Sequence, residues 1–177
     1  MQDEPRIVSE KLLAEGRRVK LYSRLVEYKC ELFEKDVVRF GEAVVIVPII
    51  NPNRVVMVKQ WRAAVSGWVL EVPAGKVESG EQVSSAARRE LEEETGFTAE
   101  VLVKIASLYA TPGYSDEVMH VFAARGLSKL APRPESSEIL EVVEVSPDWY
   151  LNQLDSTTCD LKTAAALLLC KLQGWLS

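Results

Sequence analysis

The feature that most constrains this chain is a helix carrying acids on its apolar side. Residues Gln82–Thr95 are predicted to be helical and are followed by Gly96, a residue suited to the left-handed turn that closes a helix. Ser79-Gly80-Glu81-Gln82 reads as a capping box, with Ser79 as cap and Gln82 reaching back. Counting about 100° per residue from Val83, Ala87 falls at about 40°, Leu91 at about 80° and Ala86 at about 300°, which defines an apolar stripe. Glu94 at about 20° and Glu90 at about 340° lie within it, and Glu93 flanks it at about 280°. Glu92, at about 180°, points the opposite way, as a solvated glutamate should.

An acidic run is ordinarily a solvated helix face. Here the phase argues otherwise, because carboxylates spaced three and four apart repel one another and lose hydration when turned toward a core. Cations between them remove both penalties. All-oxygen clusters of this kind suit Mg²⁺ or Mn²⁺. Arg89 precedes Glu93 by one helical turn and is placed to fix its rotamer.

Around this helix the chain alternates apolar runs with turns. Ala43–Ile50 is continuously apolar, as a buried strand is, with Pro48 interrupting its hydrogen bonding. Asn51-Pro52-Asn53 turns the chain into a second buried strand, Arg54–Gln60. Leu102–Tyr109, Val118–Ala124 and Glu138–Val145 also read as strands, and Pro147–Leu154 and Leu161–Leu172 as closing helices. Residues 6–33 read as short strands with a turn over Leu12–Arg18, and Lys129–Pro134 as a loop. Strands and helices are mixed rather than strictly alternating, which predicts an α/β sandwich around a mixed sheet. Residues 1–40 are expected to form an N-terminal β extension and residues 41–177 the main domain.

A chain of 177 residues with 47% hydrophobic and 27% charged residues can build one full core. Its formal net charge of -5 argues against a nucleic-acid backbone as the main partner. No stretch is long and apolar enough to span a bilayer, and the N-terminus lacks the basic start and apolar run of a secretion signal, so no membrane partner is expected. Cys30, Cys159 and Cys170 are far apart and the chain has one His, which excludes a Cys/His zinc centre and points to a reducing, cytoplasmic setting. Cys170, in an apolar run, is expected in the core. His120 is given no catalytic role.

The spacing Gly75, five residues, Glu81, seven residues, Arg89-Glu90-Leu91, one residue, Glu93-Glu94, one residue, Gly96-Phe97 resembles the complete Nudix box. The resemblance implies an α/β/α sandwich with a mixed sheet, and an enzyme that hydrolyses a nucleoside diphosphate linked to another moiety. It implies that Glu90, Glu93 and Glu94 are metal ligands and that Glu81 organises the loop, while Gly75 gives that loop its backbone freedom. Gln60-Trp61-Arg62 ahead of Glu71-Val72-Pro73-Ala74-Gly75, and Thr111-Pro112-Gly113-Tyr114-Ser115-Asp116-Glu117 further on, are similar to segments of the ADP-ribose pyrophosphatase subgroup. This implies the Ala74 carbonyl as a further metal ligand, ADP-ribose as substrate, and AMP and ribose 5-phosphate as products. Another nucleoside-diphosphate sugar or a dinucleoside polyphosphate is the alternative substrate.

The same resemblance suggests the remaining roles. A late loop carries the glutamate that handles the attacking water: Glu138 aligns best and Glu135 second, each with the alternative of an ordinary loop acid. Arg62 is expected on the diphosphate as a two-pronged donor, and Glu117 near the terminal ribose. Pro112 marks the substrate loop. Adenine needs an aromatic platform, for which Trp61, Trp68, Tyr22 and Tyr28 are candidates. Trp149 and Trp175 are expected in the core or an interface. Where subgroup members often have an Arg before the central strand, this chain offers Lys35 and Arg39. A homodimer with exchanged N-terminal strands is also implied.

Overall fold

Apolar runs too continuous for one-sided strands require cover on both faces, and the central strand of the protein has it. The computed structural model describes residues 4–130 and 139–177. The chain forms β1 (Arg6–Glu15), β2 (Lys20–Tyr28), β3 (Glu31–Arg39), β4 (Glu42–Asn51), β5 (Arg54–Arg62), β6 (Gly67–Glu71) and β7 (Ala74–Lys76). Then come α1 (Val83–Thr95), β8 (Phe97–Tyr109), β9 (Val118–Lys129), β10 (Leu140–Val145), α2 (Pro147–Leu151) and α3 (Leu161–Leu172).

Two compact units are present. The first takes in the described residues up to Glu42 together with Tyr109–Val118, and the second Ala43–Leu108 with the described residues from Met119 onward. The unit containing the expected N-terminal extension thus also includes Tyr109–Val118, a segment far away in sequence.

In the first unit β1, β2 and β3 form an antiparallel sheet in that order. Its strands run ten, nine and nine residues, not the short pieces expected, and Leu12–Ala14 lies within β1 rather than in a turn. The turn comes later, closed by Gly16 N–H on the Val19 carbonyl at 2.8 Å. Lys29 and Cys30 link β2 to β3 with positive φ at both positions, 49° and 64°. That is the backbone a two-residue hairpin demands, although neither residue favours it.

In the second unit a sheet runs β10-β5-β4-β9-β8, with β6 paired to β5 and β7 to β4. Pro48 stands between the part of β4 paired with β7, Ala43–Val45, and the part paired with β5, Ile49–Asn51. Val44, Val45, Ile46 and Val47 are all at most 1% exposed, so both faces of β4 are covered. On one face Ala86, Ala87 and Leu91 of α1 pack with Val44, Ile46, Ala99, Phe122 and Ala124. Truncating a residue as buried as Leu91 costs about 2–5 kcal/mol. The α/β sandwich expected from the pattern is the architecture present. The remaining helical layer includes α3, which buries Ala164, Ala166, Leu167 and Cys170. Burial pushes the Cys170 thiol up to about 12, in keeping with its place in the core. Among the described residues no helix is long and apolar enough to cross a membrane.

Candidate active site on the glutamate helix

Helix α1 starts later than the capping box implies. Its N-cap is Gln82, which makes no side-chain cap bond, and Ser79 lies outside the helix. The reason is local: Glu81 turns back to accept from the Glu78 N–H at 3.0 Å, and Glu81 N–H bonds the Glu78 carbonyl, so this stretch forms its own turn. At the far end Gly96 adopts φ 69° and returns its N–H to the Glu92 carbonyl, as a left-handed cap does.

The wheel placed Glu94 correctly, since it is 7% exposed among apolar neighbours. One carboxylate oxygen of Glu94 accepts the Ala74 N–H at 3.1 Å. Glu90 lies against the next residue: a methyl group added at Gly75 would stand 2.0 Å from its carboxyl carbon. Two adjacent residues of the strand ahead of the helix, Ala74 and Gly75, therefore meet the two inward glutamates. Glu93 is more open, its side chain 53% exposed. Glu92 is half-buried rather than fully solvated.

Arg89 organises the acids around it. Its Nε and Nη2 donate to Glu81 at 3.0 and 2.9 Å, its Nη2 to the Lys76 carbonyl at 3.0 Å, and its Nη1 to Glu90 at 2.7 Å and Glu93 at 3.0 Å. These contacts, Glu81 foremost, raise the guanidinium pKa above its ordinary value, and Arg89 in turn holds the Glu81 carboxyl below the usual range. Among the described residues no three His, Cys, Asp or Glu side chains are gathered closely enough to hold an ion. The donor chemistry nevertheless fits a hard divalent cation: carboxylate oxygens converge on a backbone strand where a Cβ would fill the space, with no soft ligand beside them.

Arg62, at the end of β5, presents the expected two-pronged geometry, but toward Glu71: Nε and Nη2 reach its carboxylate at 2.7 and 2.6 Å. Trp61 faces Trp68 across the β5–β6 pair, ring centres 5.9 Å apart and edge-on. The Lys59 ammonium stands 5.0 Å from the Trp68 ring, and Trp68 lines an apolar groove with Leu70, Val143 and Trp149. Trp149 is 53% exposed, so it is no core residue, and Trp175 carries Arg125 over its ring at 4.7 Å. His120 is buried, and its Nδ1 is 3.0 Å from the Ser107 hydroxyl.

The other expected substrate residues belong to the first unit. Tyr22 is covered by the Arg39 guanidinium at 4.6 Å, and Arg39 pairs with Glu10 at 2.6 Å, so Arg39 is committed to the N-terminal sheet. Lys35 is an exposed β3 residue opposite Arg24. Pro112 is exposed, and the Glu117 N–H bonds the Ser115 hydroxyl at 3.2 Å. Glu135 and Glu138 lie outside the described residues.

Three residues that the sequence did not single out have clear positions. Asp116 accepts the Phe40 and Gly41 N–H groups at 2.8 and 3.2 Å, fixing the Tyr109–Val118 segment to the end of β3. Burial alone would raise its carboxyl, but these bonds outweigh that effect and leave it below the usual range. Glu71 and Lys162 are the others. An acid at the end of the run Trp68-Val69-Leu70 was the available signal for Glu71.

A family model for the NUDIX domain matches residues 39–165, which contain the helix, Arg62, Glu71 and Lys162. The chain belongs to the NUDIX family. Among curated relatives, an ADP-ribose pyrophosphatase of Bacillus subtilis (strain 168) is 36% identical over 168 residues, 93% of this chain and 91% of its own length. A methanol dehydrogenase activator of Bacillus methanolicus is 35% identical, covering 97% of this chain and 94% of its own. An ADP-sugar pyrophosphatase of Mus musculus is 32% identical over 85% of this chain and 77% of its own. A crystal structure of an ADP compounds hydrolase shares the NUDIX fold of this chain with a TM-score of 0.85 at 24% identity, covering 99% of this chain and 97% of that one.

Proposed function

We propose that this NUDIX enzyme hydrolyses the diphosphate bond of ADP-ribose to AMP and ribose 5-phosphate, using Mg²⁺ or Mn²⁺. The observation that carries this reading is the meeting of Glu94 and Glu90 with Ala74 and Gly75. It is supported by relatives named for ADP-ribose and ADP-sugar pyrophosphatase activity that match along most of the chain.

In this reading Glu90, Glu93, Glu94 and the Ala74 carbonyl hold the cation. Arg89 gives up its bonds to Glu90 and Glu93 while keeping those to Glu81 and the Lys76 carbonyl. When bound, the metal neutralises phosphate oxygens and lowers the pKa of the attacking water. Water oxygen bonds to one phosphorus, and the bridging oxygen leaves with the other phosphate. Glu138, or Glu135 in its place, takes the water proton, and Glu93, the most exposed of the three helix acids, is the further catalytic candidate. Arg62 contacts the diphosphate, Glu117 the terminal ribose, and Pro112 shapes the loop. Trp61 or Tyr22 offers the adenine a ring, and Lys35 a cation for the phosphates.

The working form in this reading is a cytoplasmic homodimer. The dimer is supported by exposed apolar residues on the N-terminal sheet, Ile7, Val8, Leu12, Leu13 and Leu32. The test of function is a Mg²⁺-supported hydrolysis panel of ADP-ribose, other nucleoside-diphosphate sugars and dinucleoside polyphosphates. ADP-ribose is expected to give the highest kcat/KM. A lower rank would move the assignment to whichever substrate leads.

A further inference from the structure

The chain passes from one strand ladder to another at Val72 and Pro73. β6 ends at Glu71, opposite Val58 of β5, and β7 begins at Ala74, opposite Val45 of β4. Val72 and Pro73 belong to neither ladder, so their backbone polar groups need other partners. Pro73 has no N–H to give, and its carbonyl accepts from Ile46 N–H of β4 at 2.9 Å. The Val72 N–H is therefore the last backbone donor before Ala74, and Val72 is fully buried. It donates to the Thr163 hydroxyl of α3 at 3.0 Å. One residue earlier the Glu71 carboxylate takes Arg62 of β5 and Lys162 of α3. Burial would raise this carboxyl, but the two cations outweigh it and hold it charged.

The Thr163 hydroxyl is itself held in one orientation. An amide N–H only donates, so the hydroxyl accepts from Val72 and its own proton goes to the acceptor-only carboxylate of Asp160, whose Oδ2 lies 2.6 Å from Thr163 Oγ1. The same Oδ2 caps α3 by accepting Thr163 N–H at 2.9 Å, and it takes Lys162 Nζ at 3.0 Å. Thr163 is fully buried, like the amide it serves. Two residues beyond Val72, the Ala74 N–H donates to Glu94 at 3.1 Å. The backbone that meets the glutamate helix is thus gripped on its approach by the first turn of α3. Without the hydroxyl a buried N–H loses its acceptor, a cost large enough to move backbone toward another one.

We propose that Thr163 is a positioning residue for the metal site: by fixing the Val72 amide it sets where Ala74 stands against Glu94. This inference rests on the assignment of Glu94 and the Ala74 carbonyl to the cation. Losing the hydroxyl lets the connector shift, carries the Ala74 carbonyl out of place and loosens the hold on the cation.

The experiment titrates Mn²⁺ into the full chain without substrate, reading free Mn²⁺ by electron paramagnetic resonance, for wild type, Thr163→Val, Thr163→Ser and Glu94→Gln. T163V keeps the shape of the side chain without its hydroxyl and is expected to weaken Mn²⁺ binding about tenfold. T163S keeps the hydroxyl and is expected to bind within about threefold of wild type, whereas E94Q should lose about tenfold or more. Thermal melts run beside the titrations, because a purely structural role for Thr163 lowers the melting temperature and leaves Mn²⁺ affinity alone. Wild-type affinity in T163V beside weakened binding in E94Q overturns the positioning role and leaves the metal site standing. A loss in T163S equal to that in T163V overturns it as well, since the hydroxyl is still there. Wild-type affinity in E94Q overturns the metal assignment itself. If T163V does not fold, Thr163→Cys, whose thiol is a weak acceptor, carries the test: weaker binding than T163S supports the inference and equal binding overturns it.

Discussion

The carboxylate of Glu90 lies directly on Gly75, so close that a Cβ at position 75 would stand about 2 Å from all three carboxyl atoms. The obstacle is the end of a flexible side chain, not backbone. Gly75→Ala is therefore expected to swing Glu90 aside and lower metal-dependent turnover by about tenfold to a hundredfold, with little change in stability. Activity assays beside thermal melts check this. A variant that melts far below wild type would show that Gly75 serves the fold instead.

Glu94→Gln separates charge from hydrogen bonding at the other inward acid. The amide oxygen still accepts from Ala74 N–H, so the fold should persist. The charge for the cation is lost, and turnover is expected to fall by about a hundredfold in metal-replete buffer. Intact turnover would remove Glu94 from the metal site.

Glu71 predicts a sign for acid sensitivity. Its folded carboxyl sits below the ordinary value, so its contribution to stability is present above about pH 4.3 and is lost as pH falls below that toward the folded value. Glu71→Gln should be less stable than wild type at pH 7 by about 3 kcal/mol, because two cations lose their counter-charge. It should then lose less stability than wild type between pH 5 and pH 3. Urea unfolding at each pH measures both, and parallel pH profiles would contradict the account.

The β2–β3 hairpin offers a gain of stability. Cys30 holds φ 64° without being glycine. Cys30→Gly is expected to add about 0.5–1 kcal/mol, the left-handed penalty less the extra chain entropy of glycine. Urea unfolding would show it, and a loss of stability would mean that the Cys30 side chain contributes more than its backbone strain costs.

Periodicity made α1 legible because thirteen helical residues repeat the apolar stripe several times and Gly96 ends it. It placed Glu94 in the core without structural help. β6 and β7, with five and three residues, are too short for a repeat to show and were missed. All ten residues of β1 are exposed, so burial left no alternation there to fix its length. Ser79 resembled a cap by spacing, yet Glu81 supplies the turn instead. Lys162 and Glu71 are ninety-one residues apart, and no local pattern links them.

The central claim is metal-dependent cleavage of the ADP-ribose diphosphate, and ³¹P NMR of ADP-ribose incubated with the protein tests it most directly. The account predicts that the two diphosphate signals give way to the two monophosphate signals of AMP and ribose 5-phosphate when Mg²⁺ is present, and persist when a chelator replaces it. Diphosphate signals that persist with Mg²⁺ present, or cleavage that proceeds unchanged in chelator, would contradict it.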